Sequence, residues 1–146
     1  MNNLNLSYPS VLKKYKDFLS EGLVGLEKEN LRVESKKISS LKHPENLGSA
    51  LSSKHITTDF SEALTEFITE PSTKEDVFNF LDDLHYFTYH NIDGESLWPL
   101  SYPPNILDPE KIAIAEYGES NVGKLKSAYR AGLANRYGKQ MQIIAG

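Results

Sequence analysis

Glu27 and Glu29 stand one residue apart in Val24-Gly25-Leu26-Glu27-Lys28-Glu29-Asn30-Leu31-Arg32-Val33, a stretch that otherwise alternates apolar with polar. Alternation of this period marks a strand, and in an extended chain residues i and i+2 project to one face with Cβ atoms about 6.5 to 7 Å apart. Both carboxylates then share a face with Leu23, Leu31 and Val33. Like charges so placed repel unless something positive lies between them. Their hard oxygens suit magnesium or calcium, and magnesium commonly takes one or two protein carboxylates while sharing its other positions with water and phosphate. Two solvated glutamates on an exposed strand edge are the plain alternative, and the commoner arrangement for this residue type.

A second acidic group lies in Ile56-Thr57-Thr58-Asp59-Phe60-Ser61-Glu62-Ala63-Leu64-Thr65-Glu66-Phe67-Ile68-Thr69. Its Thr, Ile and Phe content predicts a strand, with Ser61 to Leu64 open to a helical turn. Glu66 then shares a face with Leu64 and Ile68, and Asp59 falls at the strand's start. Taken singly, each acid reads as a cap or a surface residue. If this strand pairs with the one carrying Glu27 and Glu29, several carboxylates collect on one half-buried surface, which is tolerable only around bound metal.

Gly118-Glu119-Ser120-Asn121-Val122-Gly123-Lys124-Leu125 fits the phosphate-loop pattern up to its last position, where Leu125 lacks the hydroxyl that would hold magnesium. The preceding Ile112-Ala113-Ile114-Ala115-Glu116-Tyr117 is short and ends in an acid, so the segment reads as a glycine turn with Ser120 capping the next helix. In that helix Tyr129 belongs to an apolar stripe and reads as core. Arg130, about 100° further round, is either solvated or a planar donor for a carboxylate or phosphate. His43, His55, His85 and His90 show no metal spacing, no serine elbow occurs, and cysteine is absent.

The elements that must position these groups follow from periodicity. Pro9 to Ser20 predicts an opening helix with an apolar stripe of Val11, Leu12, Tyr15, Phe18 and Leu19, read as scaffold. Leu23 to Val33 is the first strand, and Glu34 to Ser40 turns into a second short one. Pro44 and Gly48 make residues 42–48 a connection. Lys74 to Asn91 is a helix capped by Thr73, with Val77, Phe80, Leu81, Leu84 and Phe87 inward. Trp98 to Pro104 is a proline-stiffened loop, and Asp108-Pro109-Glu110 starts a short turn. A last helix runs from Ser120 to about Tyr137, packed through Leu125, Ala128, Tyr129, Leu133 and Tyr137 and stopped by Gly138. Met141 to Gly146 reads as a strand that begins and ceases, which predicts a chain cut from something longer.

At 146 residues, 39% hydrophobic and 25% charged, the chain is one globular domain in size. A net charge of −4 argues against nucleic-acid binding by bulk electrostatics. With no signal-like start and no long apolar run, a soluble, cytoplasmic protein is expected, with no membrane association.

Read together, several blocks resemble the amino-terminal part of the proteobacterial-type glutamate-cysteine ligase family. They are Gly25 to Val33, His43-Pro44-Glu45 with Leu47 to Leu51, Ile56 to Phe60, Glu62 to Leu64, Glu66 to Thr69, Trp98 to Ser101, Tyr117-Gly118 with Ser120-Asn121, Tyr129-Arg130 and Asn135 to Gly138. The resemblance implies an α+β fold, a glutamine synthetase-like antiparallel sheet with flanking helices, incomplete here because residues 1–146 form only the amino-terminal part of one catalytic domain. It implies that ATP phosphorylates the γ-carboxylate of L-glutamate and that L-cysteine's amine displaces the phosphate, in a protein that is a monomer when full length. Glu27, Glu29, Asp59 and Glu66 match the family's sites for Mg2+, with Mn2+ as an alternative ion; Phe60, Tyr129 and Arg130 match its cysteine pocket. It identifies no catalytic acid or base and no ATP-contacting residue, and the chain alone is expected to be inactive. The competing expectations are a non-catalytic metal- or nucleotide-binding module and a P-loop NTPase.

Overall fold

The computed structural model of the protein describes residues 8–48, 52–104 and 109–143. Helices α1 (Tyr8–Lys14) and α2 (Lys16–Ser20) precede strands β1 (Glu27–Glu34) and β2 (Lys37–Ile38). Strands β3 (Ile56–Thr58) and β4 (Leu64–Ile68), helix α3 (Lys74–Asn91), strand β5 (Ser96–Leu97) and helix α4 (Asn121–Tyr137) complete the regular elements, with short 3-10 turns between and after them. The fold is an antiparallel sheet flanked by helices, in the order β2-β1-β4-β3, with β5 also on β1. Among the described residues no helix is long and apolar enough to cross a membrane.

Alternation along β1 sorts its side chains onto two unlike faces. Lys28, Asn30 and Arg32 fall on one, and there Phe67, Ile56, Leu97 and Leu84 of α3 close a core cluster. Glu27, Glu29 and Leu31 fall on the other. Leu31 and Leu64, opposite each other in the β1–β4 register, pack there with Phe60 and Ala134 of α4. That second cluster stops at Leu31 and Leu64, so the same face one step further along is covered by acids rather than by core.

The 56–69 segment is not one strand but a hairpin. Residues 59–63 fold back, and Thr57 lies opposite Glu66, Thr58 opposite Thr65. Asp59 therefore sits in the turn past the end of β3. The reversal is held by segment 113–117: Ala115 N–H donates to Phe60 O at 3.1 Å and Glu62 N–H to Ala113 O at 2.9 Å. The buried Glu62 carboxylate accepts from His43 N–H and Glu116 N–H, both at 2.6 Å. Fully buried Arg32 ties β1 to its surroundings by an ion pair with Glu95 and by donating to the carbonyls of Leu41, Lys42 and Glu62. A buried charge needs hydrogen-bond partners: Glu62 finds one for each carboxylate oxygen, while Arg32 is bonded through both Nη atoms and leaves its Nε, like Glu95 Oε1, without one.

Other elements depart from the periodic reading. The opening helix breaks at Tyr15, and its stripe faces outward, Phe18 being 77% exposed. The apolar set on α4 also faces outward at Leu125, Tyr129 and Tyr137, whereas Gly123 and Ala134 are buried with Arg130 between them on that side. On α3 the Thr73 cap is as expected, but Phe87 is exposed and Thr88 takes the inward place. Residues 139–143 form a 3-10 turn instead of a strand; 144–146, with Asp108, Leu51 and the first seven residues, lie outside the described residues.

Candidate functional site

The β1–β4 register sets Glu29 directly opposite Glu66, with Glu27 two residues along the same face opposite Ile68. Opposed residues of an antiparallel pair hold their Cβ atoms about 4.5 to 5.5 Å apart, and like charges there are destabilising. Asp59 joins them from the β3–β4 turn. Glu29, Asp59 and Glu66 are half-buried and Glu27 is exposed. The consequence is visible at Glu66, whose carboxyl is raised from 4.5 to about 7 by burial first, then by the charges of Asp59, Glu27 and Glu29, against a lowering pull from Arg130.

Lys28, between the two glutamates in sequence, is no counter-ion for them because it points to the other face. There its Nζ lies 3.2 Å from His85 Nε2, while His85 Nδ1 sits 2.9 Å from Leu81 O. A carbonyl only accepts, so Nδ1 carries the ring proton and Nε2 takes the lysine's. Burial holds the Lys28 ammonium below its ordinary value.

The cation on the acidic face is Arg130. Its Nη2 donates to Asp59 Oδ1 at 2.5 Å, its side chain is only 15% exposed, and its guanidinium lies 4.8 Å from the centre of the Tyr117 ring. Sequence periodicity left Arg130 either solvated or a planar donor and placed Tyr129 in the core; in the structure Arg130 is the half-buried donor to a carboxylate, and Tyr129 is 64% exposed. Helix α4 can turn this side inward because its first turn closes on the 113–118 segment through Gly123, where a Cβ would stand 2.1 Å from Tyr117 O. That close approach, with Gly118 at φ +73° and Ser120 Oγ accepting from Gly123 N–H at 3.1 Å, accounts for the glycines of the phosphate-loop-like run. Lys124 there pairs with Glu119 at the surface.

Phe60 is buried in the cluster with Leu31, Leu64 and Ala134, next in the chain to Asp59, which pairs with Arg130, while Tyr129 is exposed. A concavity of about 440 Å³ opens beside the site, lined by Leu26, Glu27, Glu29, Leu81, Pro99 and Leu100 among others. Tyr117, Glu62 and Arg32 are structurally central yet were given no role in the sequence beyond membership of the resembling blocks; the two available signals were a charge, Arg32, on a strand interior, and an acid, Glu62, flanked by small residues.

Four carboxylates gathered on one side of the sheet and its turn match the chemistry of magnesium or manganese in type. Among the described residues no three carboxylates or imidazoles already converge on one point where an ion would sit. Among the described residues the acids thus share a surface without closing into a ligand set, with Arg130 pulling against their repulsion at Glu66.

The sequence matches the family described as Glutamate-cysteine ligase over residues 10–146. It is 50% identical over 124 residues to the glutamate–cysteine ligase of Aliivibrio fischeri, covering 84% of this chain and 24% of that protein. Among solved structures it is similar to the glutamate–cysteine ligase of Francisella tularensis in complex with AMP, with a TM-score of 0.82, 40% identity, and coverage of 86% of this chain and 26% of that one. It is also similar to a bifunctional glutathione synthetase from Pasteurella multocida, with a TM-score of 0.77, 31% identity, and coverage of 94% and 18%. The chain spans about a quarter of the length of the curated relatives it matches.

Proposed function

The chain belongs to the glutamate-cysteine ligase family, and from that membership we propose that its acidic face serves the ATP-dependent joining of L-glutamate, through its γ-carboxylate, to L-cysteine. The observation that carries this reading is the register that sets Glu29 against Glu66 with Glu27 and Asp59 beside them. Such a placement costs stability unless it serves to hold cations. In the reaction a γ-carboxylate oxygen attacks the terminal phosphorus of ATP and ADP leaves. The cysteine nitrogen then attacks the acyl carbon, losing a proton as phosphate departs. Mg2+, or Mn2+ in its place, would supply charge neutralisation at the phosphate oxygens.

In this proposal Glu27, Glu29, Asp59 and Glu66 hold the ions. Arg130, fixed by Asp59, turns its remaining donors toward a substrate carboxylate or phosphate. Phe60 gives an apolar floor on the cysteine side, with Tyr129 at its outer margin. No residue is assigned to proton transfer or to ATP's base and ribose. The setting is cytoplasmic and the full-length protein a monomer. With a quarter of the relatives' length, the chain carries one wall of the site and is inactive alone.

The test is a chimera in which residues 1–146 replace the matching part of the Aliivibrio fischeri ligase. Phosphate release from ATP should need both glutamate and cysteine, and Glu27→Gln or Glu29→Gln should cut it at least about a hundredfold with folding intact. Equal release without cysteine, or unaltered turnover in both variants, would count against the proposal; binding of metal or nucleotide without turnover would favour a non-catalytic module.

A further inference from the structure

Arg130 and Asp59 meet across the sheet edge from elements far apart in the chain, and something must hold both in place. Tyr117 touches each. Its hydroxyl donates to the backbone carbonyl of Asp59 and stands 3.3 Å from Thr58 O. Its ring carries the Arg130 guanidinium at 4.8 Å and, one helical turn earlier, the Lys126 ammonium at 5.1 Å. Tyr117 is itself immobilised: it is 3% exposed, and its neighbours Ala115 and Glu116 bond to Phe60 O and to the Glu62 carboxylate.

The Arg130 Nε is buried with no hydrogen-bond partner in the described structure. A guanidinium held by one carboxylate oxygen and leaving Nε unused is aimed by something other than hydrogen bonds. A desolvated aromatic face supplies that restraint, because the ring quadrupole attracts a cation and fixes its plane.

We propose that Tyr117 is a positioning residue, its hydroxyl anchoring the turn that bears Asp59 while its ring aims Arg130 at the acidic face. The inference rests on the proposed ligand role of that face. Tyr117 meets no substrate or ion in this proposal; it sets the distance between the Arg130 guanidinium and the acids, and so the charge that an incoming divalent ion encounters. Partners of this indirect kind typically change metal affinity by about 10- to 100-fold.

Two variants separate the two contacts. Tyr117→Phe keeps the ring under Arg130 and loses the hydroxyl; Tyr117→Leu loses both. Mg2+ titrations of the 146-residue chain should show affinity about threefold weaker for Tyr117→Phe and about tenfold weaker for Tyr117→Leu, with unchanged far-ultraviolet circular dichroism. In metal-free protein the Arg130 Nε–H resonance should stay protected from solvent exchange in Tyr117→Phe and lose protection in Tyr117→Leu. Should Tyr117→Leu fail to fold, Tyr117→Phe still decides: wild-type affinity there overturns the anchoring role, and lost Arg130 protection overturns the role of the ring. If the wild-type chain takes no Mg2+, the ligand reading of the face falls, while Arg130 protection still judges the positioning. Wild-type affinity and protection in both variants overturn the inference outright.

Discussion

Removing one charge from the Glu29–Glu66 pair should make the metal-free protein more stable while spoiling its response to magnesium. Two unit charges about 6 Å apart repel by about 3 kcal/mol at an effective dielectric of about 20. The rise of the Glu66 carboxyl from 4.5 to about 7, taken as proton linkage for a fully buried group, gives a similar ceiling of about 3 kcal/mol. Glu66 is only half-buried, so solvent screening brings either figure down to about 1 kcal/mol. The sign follows from the direction: a carboxyl raised in the folded state contributes stability that is whole below 4.5 and lost as pH climbs through about 7. Glu66→Gln removes that loss. Thermal melts from pH 4.5 to 8 in chelator should show wild type falling behind Glu66→Gln by about 1 kcal/mol at the alkaline end, or about 3 °C. Excess Mg2+, at about a hundred times its dissociation constant, should raise wild type by about 3 kcal/mol and Glu66→Gln by much less. Parallel pH curves for the two proteins would refute the repulsion, and an equal magnesium response would refute the ligand role of Glu66.

Three further outcomes follow from the same contacts. Glu62→Ala should cost about 2 to 4 kcal/mol in urea denaturation, because two backbone donors, His43 N–H and Glu116 N–H, lose a buried charged acceptor. Gly123→Ala should destabilise by about 1 to 3 kcal/mol, since the added methyl meets Tyr117 O and must push α4 off the 113–117 segment; hydrogen exchange at α4 would report the loosening. Lys124→Ala should leave ATP binding by the chimera unchanged within experimental error, its ammonium being paired to Glu119 in solvent; a tenfold loss would revive a phosphate-loop role for the 118–124 run.

The acidic face was legible because strand alternation is a strict geometric rule: two glutamates at i and i+2 must share a side, and β1 obeys it. Which strand would face β1 was not legible, since pairing depends on the turn at 59–63 that divides 56–69 into a hairpin, and that turn is held by Glu62 and segment 113–117 from far along the chain. Helix α4 misled for a related reason. Its bulky apolar residues predict the buried side, but the close approach at Gly123 decides which side faces the sheet, turning Arg130 inward and Tyr129 out. The opening helix has a clean apolar stripe whose residues are all exposed, from Val11 at 37% to Phe18 at 77%, showing that periodicity states what a helix can bury and not what it meets.

Whether the carboxylates of β1 and β4 bind a divalent cation can be read by titrating Mn2+ into the chain and following the free-ion signal by electron paramagnetic resonance. Wild type should show saturable loss of that signal, and the Glu27→Gln, Glu29→Gln double variant none at equal fold content. A signal untouched by wild type, or lost equally with the double variant, would contradict binding there.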